Sequence, residues 1–229
     1  MARFTRLEVL GAMLEERLVP VFYHPDPKLC RDVALACARG GSRFFELTHR
    51  GDGAHRVFED LLDFLKREAP GVILGVGSIR DAHTAALYLS LGANFVVGPI
   101  LDPDTARVCN GRKVAYMPGC GSATEIAQAE ALGCEIVKLF PGDCVGGPSF
   151  VKAVLGPSPW SLLMPTGGVE ATRESVRAWI EAGAAAVGIG SSLIRKDLLE
   201  KGDLAGIEGT VRNVLGWIEE CRPRSGKAR

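Results

Sequence analysis

The chain has 229 residues, 47% hydrophobic and 24% charged, with 27 basic and 27 acidic side chains. That balance supplies apolar material for a sizeable core and lacks the net basic charge through which nucleic acid or an anionic membrane surface is bound. Seven cysteines, at 30, 37, 109, 120, 134, 144 and 221, include no C-x-x-C pair, so they read as free thiols in a reducing cytoplasm and not as a disulfide frame or zinc site.

The opening residues, MARFTRLEVLGAML, lack the apolar stretch and small-residue cleavage site of a secretory signal, and no later run is long enough to span a bilayer. An amphipathic segment, LEVLGAMLEERL, predicts a helix ahead of the first strand. Short β-rich runs then recur at intervals of roughly 20 to 28 residues, the period of repeated strand–helix units. They are VPVFYH (19–24), RFFELTH (43–49), VILGVGS (72–78), FVVGP (95–99), VAYMPG (114–119), IVKLFPG (136–142), LLMPTGG (162–168) and AVGIGS (186–191). Between them LCRDVALACARG, AHRVFEDLLDFLKREA, DAHTAALYLSLGA, ATEIAQAEALGC and TRESVRAWIEAGA have helical periodicity. Gly40, Gly92, Gly133 and Gly183 read as left-handed stops for four of these helices, and Cys30 and Cys37 fall on one buried helical face. A last helix is predicted over about 203–221, and the short basic tail, 222–229, reads as a frayed terminus.

Strands that are apolar almost throughout suit a parallel sheet covered by helices. Eight such units in a chain of this length predict a single-domain (β/α)8 TIM barrel over residues 1–229, with an extra N-terminal helix. The alternative is a doubly wound open sheet, but VFYHPDP follows the first strand where a G-x-G-x-x-G turn would stand. No Ser/Gly linker or change of composition marks a second domain.

Chemistry in such a barrel sits at the C-terminal ends of the strands. The second strand brings Glu46, Thr48 and Arg50 to one face by its period of two. The third ends at Ser78, the fourth at Pro99, the sixth carries Lys138 and Phe140, and the seventh ends at Thr166. Lys138 interrupts an apolar run, either as an edge-strand amine reaching water or as a buried amine that loses its proton easily and attacks a carbonyl. Glu46 and Arg50 alone could be an ion pair bracing the barrel. Beside an inward lysine they instead supply an acid/base and a cation that disfavours the ammonium. PTGG (165–168) and GIGSS (188–192), each expected to lead into a helix start, read singly as the tight turns that need glycine anyway and, paired at the last two strands, as a site where an anion meets backbone N–H groups, which predicts phosphate binding.

The ordered set E-x-T-x-R, K-x-F-P and P-T-G-G, within FFELTHR, GVGSI, MPGCGSATE, VKLFPG, MPTGG and GIGSS, resembles the 2-keto-3-deoxy-6-phosphogluconate (KDPG) and 4-hydroxy-2-oxoglutarate (KHG) aldolases over nearly the whole chain. The resemblance implies a class I, metal-independent enzyme of (β/α)8 fold, a homotrimer with no cofactor beyond the imine on Lys138. It makes Glu46 the general acid/base, Arg50 and Ser78 the binders of the pyruvate carboxylate, and Pro99 and Phe140 the surfaces packed on the pyruvyl group. Thr166 meets the hydroxylated part of the substrate, and Gly167, Gly168, Gly190 and Ser191 hold its phosphate. Three positions depart from the family pattern: Ser78 stands where threonine is common, and His49 and Gly51 flank Arg50 where an apolar residue and a threonine are common.

Three other readings follow from the same residues. A metal-dependent pyruvate aldolase needs a ligand cluster, which the spacing of His24, His49, His55 and His83 does not form, although His24 and His49 could both face the mouth. An epimerase or isomerase would use the phosphate cradle without an imine. A silent sugar-phosphate-binding protein would have no chemical reason to keep Glu46, Arg50 and Lys138 together.

Overall fold

The computed structural model describes residues 2–221, so the 222–229 tail lies outside the described residues. In chain order the elements are α1 (Arg6–Glu16), β1 (Leu18–Phe22), α2 (Pro27–Arg39), β2 (Phe44–Thr48), α3 (Ala54–Glu68), β3 (Ile73–Gly77), α4 (Ala82–Leu91), β4 (Phe95–Val97) and α5 (Pro103–Arg112). There follow β5 (Ala115–Met117), β6 (Gly119–Cys120), α6 (Ala123–Ala131), β7 (Ile136–Leu139), α7 (Gly147–Leu155), β8 (Leu162–Pro165), α8 (Arg173–Glu181), β9 (Val187–Ile189), α9 (Lys196–Glu200) and α10 (Leu204–Glu220). Side-chain caps fix the helix starts: Thr5 and Glu8 form a reciprocal box on α1, and Asp26, Asp81, Asp102, Ser122, Thr172 and Asp203 each accept an amide of the first turn.

Every strand pairing is parallel, and all eight predicted runs contain strands. The fifth run is divided at Pro118, which has no N–H for a ladder. Its first half, β5, ends a six-stranded sheet ordered β5-β4-β3-β2-β1-β9, and its second half, β6, opens a three-stranded sheet ordered β6-β7-β8. At that seam the Pro118 carbonyl accepts the Lys138 N–H at 3.0 Å. At the other, Thr166 bridges Gly188 in parallel, and the Ala185 N–H reaches the Leu163 carbonyl at 2.8 Å. The result is a curled parallel sheet with helices against its convex face.

The alternation along each strand sorts side chains between two cores. Phe45 and Leu47 of β2, Val137 and Leu139 of β7 and Leu163 of β8 face outward into the layer shared with the helices. Phe44, Ile73, Phe95, Ile136 and Met164 face inward, where Val9, Leu10, Ala12 and Met13 of α1 pack against them. A doubly wound sheet would have carried its helices on both faces; here α1 alone contributes to the concave core. Glu46 and Lys138, two residues beyond Phe44 and Ile136, point the same way one layer higher.

One predicted stop is corrected. Gly40 is right-handed with φ −67°, and the left-handed residue after α2 is Gly41 at φ 107°, because the helix runs one residue further before turning. Gly92, Gly133 and Gly183 have the expected positive φ. Both Cys30 and Cys37 are buried on α2, and all seven cysteines are free. Among the described residues no helix is long and apolar enough to cross a membrane.

The close approach of β4 and β6 makes Gly119 a sensitive position: a Cβ there would overlap the carbonyl oxygen of Pro99, which is backbone and cannot step aside. Gly119→Ala should therefore lower the melting temperature by several degrees, about 2 kcal/mol or more. Gly111→Ala, in α5 with nothing within 4 Å of the added methyl, should raise it slightly through helix propensity. Thermal unfolding of the two variants checks both signs.

Candidate active site

A cavity of about 420 Å³ opens at the C-terminal ends of the strands, lined by Thr48, Arg50, Phe140, Thr166, Gly167, Gly168, Gly190 and Ser191 among others. Eight of the twelve residues nominated by sequence thus share one cavity. Glu46 and Lys138, 1% and 5% exposed, are not among its lining residues; they stand one layer below it, two residues before the lining Thr48 and Phe140 in the chain. Ser78 and Pro99, half-buried at the ends of the neighbouring strands, are not among its lining residues.

The floor is built by removing side chains as much as by adding them. Glu46 pairs in register with Gly75, and Thr48 with Gly77. A Cβ at Gly77 would overlap Glu46 Oε1, and one at Gly75 would overlap the Phe95 ring. Two glycines on the concave face of β3 therefore leave the room that the Glu46 carboxyl occupies. Neither carboxyl oxygen has a hydrogen-bond partner, and the same holds for the hydroxyls of Thr48 and Thr166. Four buried polar atoms at one cavity without protein partners are costly in a purely structural role and are what a polar ligand would satisfy.

Burial dominates the electrostatics. It lowers the pKa of the Lys138 ammonium, with Glu46 opposing the shift and Arg50 adding to it. Burial likewise raises the Glu46 pKa, against the opposing pull of Lys138 and Arg50. The two groups feel each other's charge yet are not within the 4 Å of an ion pair, and the bracing pair of Glu46 with Arg50 is also absent among the described salt bridges. Lys138 Nζ stands 4.8 Å from the centroid of the Phe140 ring, which walls the amine from water.

Arg50 reaches the cavity by a route the strand alternation does not supply. β2 ends at Thr48, and the chain turns there, the Arg50 N–H donating to the Thr48 carbonyl at 3.0 Å. His49 anchors that turn: its N–H donates to the Gly77 carbonyl at 2.8 Å, and its Nδ1 lies 2.9 Å from the hydroxyl of the buried Tyr88. This contact gives His49 a task, anchoring the turn that carries the exposed Arg50. The Nδ1 of His24 accepts the Asp26 N–H at 3.1 Å. Among the described residues no group of three or more His, Cys, Asp and Glu side chains is arranged to hold a metal ion.

Ser78 has φ +62°, a left-handed conformation uncommon outside glycine, at the end of β3. Gly167 and Gly168 are also left-handed, at 83° and 74°. The helix starts expected directly after the two glycine runs lie further on: α8 begins at Arg173, capped by Thr172, and the five-residue α9 at Lys196. After β9 the chain makes one turn, with Leu193 and Ile194 N–H groups donating to the Gly190 carbonyl at 3.0 and 2.9 Å. The N–H groups of Gly167, Gly168, Gly190 and Ser191 make no hydrogen bond among the described residues. A cradle of free amides thus faces the cavity without a regular helix behind it.

The family model described as KDPG and KHG aldolase matches residues 9–210. This chain belongs to that family. It is 32% identical over 208 residues to the 2-dehydro-3-deoxy-phosphogluconate aldolase of Pseudomonas aeruginosa, covering 91% of this chain and 92% of that one. With the enzyme of the same name from Haemophilus influenzae it shares 27% over 216 residues, 94% of this chain and 99% of the other. Its fold matches the KDPG aldolase of Legionella pneumophila, solved with pyruvate captured as a covalent carbinolamine, with a TM-score of 0.81 at 21% identity over 90% of this chain and 97% of that one. The family is that of a carbon–carbon lyase.

The cavity also includes residues that the strand-end rule did not nominate, Tyr23, Glu170 and Ser192 among them. Tyr23 lies just past the end of β1, and Glu170 and Ser192 sit on loops, so none of the three carries a strand pattern that could have nominated it.

The raised Glu46 pKa has a measurable sign. Between the ordinary glutamate value, about 4.3, and the folded value, the native state holds a proton that the unfolded chain has released, so stability falls as pH rises through that window. Glu46→Gln removes this dependence. Its melting temperature relative to the parent should therefore climb as pH rises above the ordinary glutamate value, about 4.3; a flat or falling difference would show the carboxyl to be ordinary.

Proposed function

We propose that this chain is a class I aldolase that reversibly cleaves a 2-keto-3-deoxy sugar acid such as KDPG, or 4-hydroxy-2-oxoglutarate, to pyruvate and an aldehyde, glyceraldehyde 3-phosphate or glyoxylate. The observation that carries the reading is the cavity floor: a buried amine and a buried, unpartnered carboxyl on one concave face, electrostatically coupled without forming an ion pair.

The Lys138 amine attacks the C2 carbonyl of the 2-keto acid, and the Glu46 carboxyl gives its proton to the carbinolamine hydroxyl, which leaves as water to form a cationic imine and a Glu46 carboxylate. Its positive charge draws electrons from the C3–C4 bond. Glu46, directly or through a water molecule, takes the C4 hydroxyl proton as that bond breaks, releasing the aldehyde and leaving an enamine of pyruvate. Protonation at C3 and hydrolysis of the imine release pyruvate and regenerate the amine.

Arg50 holds the substrate carboxylate in a bidentate grip with Ser78, and its charge helps to keep Lys138 neutral. Pro99 and Phe140 pack on the pyruvyl group, Thr48 and Thr166 meet substrate oxygens, and Gly167, Gly168, Gly190 and Ser191 hold a phosphate through their free amides. No metal or further cofactor takes part. The two sheets make one closed (β/α)8 barrel in a single domain, 1–229, with α1 as an added helix across its base, and the protein acts in the cytoplasm as a homotrimer.

Borohydride reduction in the presence of pyruvate should add one reduced pyruvyl group, located on Lys138 by mass spectrometry; an unmodified Lys138 would exclude imine chemistry. In a coupled assay of pyruvate release, run with EDTA present, Glu46→Gln should turn over roughly 10²-fold more slowly than the parent. Near-parental turnover would reduce Glu46 to a structural residue.

A further inference from the structure

The steps above leave Tyr23 without a role, although it lines the cavity beside Arg50 and Ser191. Tyr23 follows the end of β1 at Phe22, where strand alternation no longer sorts side chains: its ring packs against the core shared with the helices and also borders the cavity. The ring is half-buried, and its hydroxyl makes no hydrogen bond with any described residue.

Gly51 shows that the position of this ring is built in. A Cβ on Gly51 would overlap Tyr23 Oη and would stand only 3.2 Å from Cζ and 3.4 Å from Cε1. Gly51 is not among the residues of positive φ, so its backbone does not demand glycine. What the missing side chain provides is clearance for the Tyr23 hydroxyl. The departure at Gly51 from the family's common threonine thus has a steric partner across the mouth.

In the six-stranded sheet β1 lies between β2 and β9. Tyr23 therefore stands between Arg50 on one side and Gly190 and Ser191 on the other, past the floor where Lys138 and Glu46 act. A molecule joined to Lys138 and reaching the amide cradle has its middle carbons in this span. A phenol hydroxyl can give one hydrogen bond and accept another, which suits an alcohol.

We propose that Tyr23 determines specificity, its hydroxyl bonding an alcohol on the aldehyde half of the substrate, in the space that Gly51 keeps open. The inference rests on the aldolase reading and names the substrate class within it: a six-carbon 2-keto-3-deoxy acid carrying a C5 hydroxyl. 4-Hydroxy-2-oxoglutarate has a carboxylate at that carbon.

The test compares pyruvate release from KDPG and from 4-hydroxy-2-oxoglutarate by the parent, Tyr23→Phe, Gly51→Ala and the double variant. Tyr23→Phe should lower kcat/KM on KDPG by roughly 3- to 10-fold, the scale of one neutral hydrogen bond, and lower it distinctly less on 4-hydroxy-2-oxoglutarate. Gly51→Ala should act in the same direction, and adding it to Tyr23→Phe should cost little more, since the displaced atom is already gone. Equal losses on the two substrates, no loss on KDPG, or a parent that cleaves only 4-hydroxy-2-oxoglutarate would overturn the proposal. Borohydride trapping of pyruvate on the parent's Lys138 separates the two levels: trapping with no KDPG effect defeats the role of Tyr23 alone, whereas absent trapping defeats the aldolase reading.

Discussion

The structure depends on keeping an amine out of water without giving it a salt bridge. A buried lysine paired directly with a carboxylate would be held as an ammonium, charged and useless as a nucleophile. Here desolvation is the leading influence on Lys138, and the opposing attraction of Glu46 acts without an ion pair within 4 Å. Both groups are thereby biased toward their uncharged forms, the amine by losing a proton and the carboxyl by keeping one. The state in which an amine attacks and a carboxyl can pass a proton is also the state that burial favours.

That bias has to be maintained by ordinary packing. The layer beneath the floor is apolar and fully buried, with Phe44, Ile73, Phe95, Ile136 and Met164 closed from below by α1. Each such side chain contributes about 1.5–3 kcal/mol of burial, and together they offset the unpartnered polar atoms above them. β3 completes the arrangement by omission: its inward face reads Ile73, Gly75, Gly77, narrowing upward so that Phe95 fills the space by Gly75 and Glu46 the space by Gly77. The glycines that weaken β3 as a strand are the ones that admit the carboxyl.

How much of this was legible in the sequence follows from which forces act locally. The eight strands, the inward direction of Glu46 and Lys138 and the buried cysteine face of α2 all follow from periodicity, which is a property of the backbone. The division of the fifth run at Pro118 could have been read from proline's missing N–H; the sheets that its two halves join could not. Arg50 shares the cavity with Thr48 as the alternation suggests, but β2 stops at Thr48, and the residues beyond it are placed by His49 gripping Gly77 and Tyr88, contacts 28 and 39 residues away in the chain. The left-handed stop moved from Gly40 to Gly41 for a similar reason. A Cβ at Gly40 would meet Val211 of α10, so that glycine answers to packing, and Gly41 is left to make the turn.

The division between strand and loop also separates chemistry from specificity. Four of the residues assigned to the proposed chemistry, Lys138, Glu46, Thr48 and Phe140, stand on or directly after a strand. Their directions are fixed by pleat and register, so one sequence suffices to assign the reaction class. The far half of the cavity is made of turns, Gly167 to Glu170 and Gly190 to Ser192, together with Tyr23, whose hydroxyl meets Gly51 only in three dimensions. Neither Tyr23 nor Gly51 carries information alone, since an aromatic after a strand and a glycine in a loop are both commonplace. Their juxtaposition carries it, because any side chain at 51 would overlap the hydroxyl at 23. For this fold the substrate's identity is therefore to be sought in pairs of loop residues that exclude one another, and the reaction in single residues that a strand aims.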